Sequence, residues 1–140
     1  MTATTVDRNT VEVWNEGQII PVALTASTKI PLGVMVSVVL NTGTAINAAD
    51  TASTAVIGIS RQQVDTALGF TKCPVGRGRY WFANGGHITA AHIGVEACVV
   101  DNQTVDLAAN TTNAIPAGVI IGVDATLGVC IDMAGGKVGT

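Results

Sequence analysis

Apolar and polar residues alternate along most of this chain in short runs, and the runs are separated by Gly, Asn and Pro. A period of two over four to eight residues predicts half-buried β-strands. Val11-Glu12-Val13-Trp14 alternates in this way, Asn15-Glu16-Gly17 reads as a turn, and Ile19 to Leu24 reads as a second strand. Pro21 lies inside that strand and has no N–H to donate to a ladder, which points to an edge position or a bulge. No stretch carries the 3.6-residue period of a long amphipathic helix. The one Ala-rich region, Ala45 to Ala55, is interspersed with Thr, Ser and Asp, whose side chains compete for backbone hydrogen bonds and favour turns.

The pattern also repeats. Gly33-Val34-Met35-Val36-Ser37-Val38-Val39-Leu40-Asn41 is followed by the strand Ala55 to Ser60. Gly94-Val95-Glu96-Ala97-Cys98-Val99-Val100-Asp101-Asn102 is followed by Gly118 to Asp124. Both copies read as strand, Asn-centred turn, small polar stretch and strand, and both second strands carry an apolar-Ile-Gly-apolar core. Glycine inside a strand pattern marks a bulge or a close backbone approach, so Gly58 and Gly122 are expected to interrupt their ladders. Ile30-Pro31-Leu32-Gly33-Val34 and Ile115-Pro116-Ala117-Gly118-Val119 share a second motif, at different points of the two copies.

Between the copies, Pro74 to Phe82 reads as one strand with three consecutive aromatics, and Asn84-Gly85-Gly86 as a tight turn. Ile88 to Ile93 has room for a single helical turn, and Gly128 to Met133 forms a last strand. Many short strands with frequent Gly and Asn turns predict an all-β fold, a small antiparallel β-sandwich or barrel containing two similar β units. With aromatics at 4%, the core is expected to be Val, Ile, Leu and Ala, tightly packed around no large cavity. Residues 1–10 are polar and Thr-rich and are expected to form a flexible N-terminal arm, residues 11–133 a single β domain, and residues 134–140 a flexible C-terminal tail.

Composition changes the functional picture. Charged residues make up 12% of the chain and hydrophobic residues 48%, with a mean hydropathy of +0.46, against about 25% charged in an ordinary soluble domain. The longest apolar runs, around residues 30–40 and 114–123, fall short of the roughly 20 residues of a spanning helix. The N-terminus lacks the basic and apolar regions of a secretory leader. The expectation is therefore a protein with no membrane partner, made in the cytoplasm, much of whose surface is buried against other chains. The net charge is −3 and only Arg77 and Arg79 are close basic neighbours, so nucleic acid is not expected as a partner.

The chain offers little chemistry. Cys73, Cys98 and Cys130 are odd in number and widely spaced, as expected of buried reduced thiols. His87 and His92 share no helix face and no strand face, and no Cys/His cluster accompanies them, so they read as solvated loop histidines rather than metal ligands. Asp101, Asp106, Asp124 and Asp132 sit at strand ends and read as turn formers. Cys98 has no base tied to it. We therefore expect no catalytic residues, no metal and no cofactor. Arg77, Arg79, Tyr80 and Trp81 form one candidate interaction patch, made of residue types enriched at interfaces. The competing reading places Tyr80 and Phe82 on one strand face, as core, and Trp81 on the other.

Taken together, the polar arm, the strands and Gly-x-x-x-x-Val-Val-x-Asn turn that follow it, Ile88 to Gly94, Val99 to Val105 and the closing Ile115 to Asp124 resemble the small capsid cement (head decoration) proteins of tailed phages, over roughly residues 11–133. The resemblance implies a compact, non-enzymatic β domain on the outer surface of the virion. It would form a homotrimer, with the major capsid protein as partner, after assembly in the host cytoplasm. It implies terminal arms that reach onto the shell, which makes Thr2, Thr4, Thr5, Asp7, Arg8 and Asn9 candidate capsid contacts, and Arg77, Arg79, Tyr80 and Trp81 candidate oligomer contacts. The chain departs from the helix-containing, Pro-rich lambda type in having four prolines and no clear helix. A β-structured tail, fibre or adhesin module binding a host glycan is the alternative, and it calls for exposed aromatics with Asp and Asn around a shallow groove.

Overall fold

The computed structural model describes residues 19–134. The expected arm, the Val11–Trp14 strand and all but the first residue of the tail lie outside the described residues.

The described chain is all-β. Its strands are β1 (Ile19–Ala23), β2 (Lys29–Ile30), β3 (Met35–Val39), β4 (Ala45–Asn47), β5 (Thr54–Ser60), β6 (Val64–Asp65), β7 (Lys72–Gly76), β8 (Arg79–Asn84), β9 (Glu96–Val99), β10 (Thr104–Asp106), β11 (Pro116–Asp124) and β12 (Gly128–Asp132). Single 3-10 turns occur at 66–68, 90–92 and 108–110. The second of these is the short turn expected between Ile88 and Ile93.

Ten of these strands build two five-stranded units of the same topology. The first runs β1-β7-β5-β3-β4, and one parallel bridge, Leu24 to Ala45, joins its two edges. The second is a closed barrel, β8-β12-β11-β9-β10, in which β10 meets β8 in parallel. All other ladders are antiparallel. The correspondence extends to register. Val36 faces Gly58 and Ser37 faces Val56 across a bulge, while Ala97 faces Gly118 and Cys98 faces Pro116 across the same irregularity. The repeat read from the sequence is therefore a repeat of strand path. One detail differs: the counterpart of Gly58 is Gly118, not Gly122. Gly58 and Gly118 have φ of 156° and 153°, and a Cβ on either would run into a carbonyl oxygen, that of Gly76 or of Asp132. Gly122 flanks a separate bulge between β11 and β12.

The bulges have a packing consequence. In a regular strand, residues three apart point to opposite faces. The extra residue lets Val56 and Ile59 face outward together while Ile57 points into the first unit's core. β3 is buried on both faces for the same architectural reason. Val36 packs with Ile30, Ala45, Val64, Cys73 and Val75, while Met35 joins the second barrel's cluster around Phe82, Val99, Ile120 and Ile131. Each fully buried Val, Ile or Met contributes about 1.5–3 kcal/mol, so a seam carrying Met35, Ala48 and Ile59 holds the two units together. The core differs from expectation in one respect: it is Ile, Val, Ala, Met and Cys with a single Phe, and no leucine belongs to it.

Two polar clamps complete the seam. The amide N–H of Met35 donates to the carbonyl of Asn102 at 2.8 Å, and the Asn102 side chain donates to Asn47 Oδ1. The Asp50 carboxylate accepts from the backbone N–H groups of Thr112 and Asn113 at 2.7 and 2.8 Å.

Pro74 to Phe82 is not one strand. β7 ends at Gly76 in the first sheet and β8 starts at Arg79 in the second, so Arg77 and Gly78 cross between units. A Cβ at Gly76 or Gly78 would press on the Arg61 side chain or the Tyr80 ring at about 3.0 Å. Pro21 sits on β1, an edge strand, opposite Pro74, where neither residue is asked to donate.

Candidate interaction surface

β8 sorts the aromatic run by face. Phe82 is buried among the second barrel's core residues, Tyr80 is half-buried against the same cluster with its hydroxyl over Gly78, and Trp81 points outward, 43% exposed. Of the four expected oligomer contacts, Arg79 and Trp81 share the outward face of β8, Tyr80 turns the other way, and Arg77 precedes the strand. Arg77 Nε donates to the Met133 carbonyl at 2.9 Å and ties the crossing segment to the end of β12. Arg79 is an exposed partner of Asp132 at 3.5 Å across the β8–β12 ladder, a pair that adds little stability at a surface. Trp81 alone is presented as an apolar contact. The six arm residues, Thr2, Thr4, Thr5, Asp7, Arg8 and Asn9, lie outside the described residues.

Trp81 gains neighbours that the strand pattern did not disclose. It lines a shallow groove of about 920 Å³ with Leu32 and Val34 of the first unit and Val123 and Leu127 of the second. Leu32, Leu40, Leu68 and Leu127 are all more than half exposed. In the sequence they sit in turns or flank them, at positions where periodicity assigns no face, so only the tertiary path reveals them as surface.

The polar rim of the groove is largely committed to the fold. Asp124 Oδ2 accepts from the backbone N–H groups of Thr126 and Leu127, which holds its carboxyl below the ordinary value. Asn84 donates to the Ile88 carbonyl and accepts from Gly86, building the expected turn. Asp101 and Asp132 likewise accept from local N–H groups as turn formers.

Asp106 departs from expectation. It is buried, accepts from the N–H of Leu107, and lies 2.8 Å from Nδ1 of His87. His87 is the exposed loop residue expected and is in addition the partner of a buried carboxylate, and His92 Nδ1 accepts from the N–H of Thr89, closing its 3-10 turn. The Thr89 hydroxyl also lies 3.3 Å from His92 Nδ1. Cys73, Cys98 and Cys130 are buried and unpaired, and burial pushes each thiol up, away from the reactive thiolate. Among the described residues no group of three or more His, Cys, Asp or Glu side chains has the arrangement of a metal site, and no helix is long and apolar enough to cross a membrane.

Comparison with known proteins returned no match to a family model, to a curated protein or to a solved structure.

Proposed function

We propose that the protein is a structural component of a tailed-phage virion, a capsid cement that sits on the outer head surface as a homotrimer and bridges major capsid subunits. The observation that carries this reading is the exposure of large apolar side chains, Leu32, Leu40, Leu68, Trp81 and Leu127 among them, on the two β units of a chain with 12% charged residues. Surfaces of this kind are stable in water when other chains cover them. The closed second unit also suits a cement. It offers few free ladder edges to mispair, and its stiffness lets contact area at a seam convert to affinity with little ordering cost. A standard interface of about 1,600 Å² repeated three times per trimer gains further through avidity. Binding is the whole activity in this reading, with no turnover and no cofactor.

The test is co-sedimentation with expanded, undecorated phage heads together with sedimentation equilibrium of the free protein. Saturable head binding and a trimer, free or on the shell, are expected. A chain that stays monomeric and ignores the heads overturns the proposal.

A second reading, glycan binding by a tail or adhesin module, is favoured by Trp81 beside Asn84, Gln103 and Asp124 in one shallow groove. The internal bonds of Asn84 and Asp124 leave few of those polar atoms for a sugar. Binding on a glycan array that Trp81→Ala abolishes would select this reading over the first.

A further inference from the structure

On β5 the outward pair Val56 and Ile59 packs against the second unit's cluster. The counterpart pair on β11, Pro116 and Val119, is half-buried and lines a groove of about 280 Å³ between the units, together with Val56, Met133, Glu96 and Arg77. The internal repeat shows how this groove departs from a packed face. Glu96 pairs with Val119 at the register position where Met35 pairs with Ile59. Met35 is buried in the seam, whereas Glu96 brings a half-buried acidic residue to the groove wall.

Both charges of the groove are available to a ligand. Arg77 donates through Nε to the Met133 carbonyl, which leaves its Nη groups without a partner among the described residues. The Glu96 carboxylate makes neither a hydrogen bond nor an ion pair among those residues, so the two charges line one groove without pairing with each other. Asp132, also on the wall, is the partner of Arg79. Small-molecule sites combine an apolar lining with a few convergent polar groups, in roughly 300–1,000 Å³ for drug-sized ligands. A slightly smaller groove with one cation, one anion and an apolar floor fits a small zwitterion with an apolar body.

We propose that this groove binds a free apolar α-amino acid. The ligand's carboxylate takes the Nη groups of Arg77 in the bidentate geometry that a guanidinium favours. Its ammonium group donates to the Glu96 carboxylate, and its side chain lies on Pro116, Val119 and Val56. The interior of a peptide supplies neither main-chain charge, so the charge pattern selects the free amino acid over a segment of another protein. The walls come from β5, the crossing at Arg77, β9 and β11, so the ligand bridges the two units and stabilises the fold by mass action. The site is separate from the Trp81 groove and does not depend on any capsid partner.

The experiment titrates the full chain with L-leucine in a calorimeter and follows thermal melts at rising leucine concentration. Saturable binding and a melting temperature that climbs with ligand are expected. Arg77→Gln and Glu96→Gln are each expected to weaken binding about tenfold or more, the scale for losing a hydrogen bond between charged groups. N-acetyl-leucine, which has no ammonium group, and leucinamide, which has no carboxylate, are expected to bind the unaltered chain correspondingly more weakly. So is glycine, which keeps both charges and has no side chain. Trp81→Ala, in the other groove, is expected to change nothing. Circular dichroism checks that each variant is folded, and if Arg77→Gln unfolds the chain, the ligand series on the unaltered chain decides the role of each charge. Leucine binding that does not saturate overturns the proposal, as does binding that neither charge variant weakens or that N-acetyl-leucine and leucinamide match. Equally tight binding of Gly-Leu-Gly also overturns it and assigns the groove to a segment of another protein.

Discussion

Ser37 Oγ is a buried side-chain polar atom with no hydrogen-bond partner. A buried hydroxyl without a partner costs about 1–3 kcal/mol. The second unit carries Cys98 at the same register position, opposite Pro116 as Ser37 is opposite Val56. A thiol fills the same space with a weaker demand for hydrogen bonds. Ser37→Cys or Ser37→Ala is therefore expected to raise stability by about 1 kcal/mol, read as a higher denaturant midpoint with an unchanged slope. Gly58 and Gly118 predict the opposite sign. Ala at either drives a methyl group into backbone at a φ that side chains avoid, and a loss of about 3 kcal/mol or more is expected, similar at the two sites. Equal effects in thermal melts of the two variants would also show that the repeated bulge does the same work in both units.

At the scale of elements, the Asp50 clamp joins the loop after β4 to the loop before β11. The backbone N–H of Thr112, chiefly, and then the N–H and side chain of Asn113 hold the Asp50 carboxyl below its ordinary value of 3.8. A carboxyl lowered in the folded state stabilises the fold fully above its unfolded value and loses that contribution as pH falls through the folded one. The site is open to solvent, so the expected gain near neutral pH is only about 1 kcal/mol. Thermal melts of the wild type and Asp50→Ala should differ at neutral pH and converge in acid below the ordinary carboxylate range. A difference that persists unchanged in acid would place the role of Asp50 in packing rather than charge. The element boundaries explain a misreading as well. Pro74 to Phe82 alternates like one strand, and Arg77-Gly78 inside it divides two sheets, because the break is made by where each half finds its ladder partners rather than by any local polarity.

For the whole molecule, the exposed apolar positions separate binding from folding. Trp81→Ala combined with Leu127→Ser alters surface positions, and surface changes of this kind lie within about 0.5 kcal/mol of neutral. The melting temperature should barely move, while co-sedimentation with expanded heads should weaken. Unaltered binding would move the contact surface to the arm or to Leu40 and Leu68. The two units share the seam at Met35, Ala48 and Ile59, so a single cooperative transition is expected by calorimetry. Two resolved transitions would mean that each unit folds on its own.

By itself the sequence determined the all-β class, the two similar units, the interrupted strands at Gly58 and Gly122, the turn at Asn84 and the burial of the thiols. These follow from period-two alternation, from glycine at ladder irregularities and from the scarcity of charge, all of which are local properties. The tertiary structure decided that the units are a five-stranded sheet whose edges meet at one bridge and a closed barrel of the same strand order, that Gly58 corresponds to Gly118, and that His87 meets the buried Asp106. It also decided that, of the aromatic run, only Trp81 faces outward to join Leu32 and Leu127. Each of these depends on which distant residues a strand lies beside. Alternation assigns a residue to a face of its strand, and only the closed ladder determines whether that face meets a core, a second barrel or water.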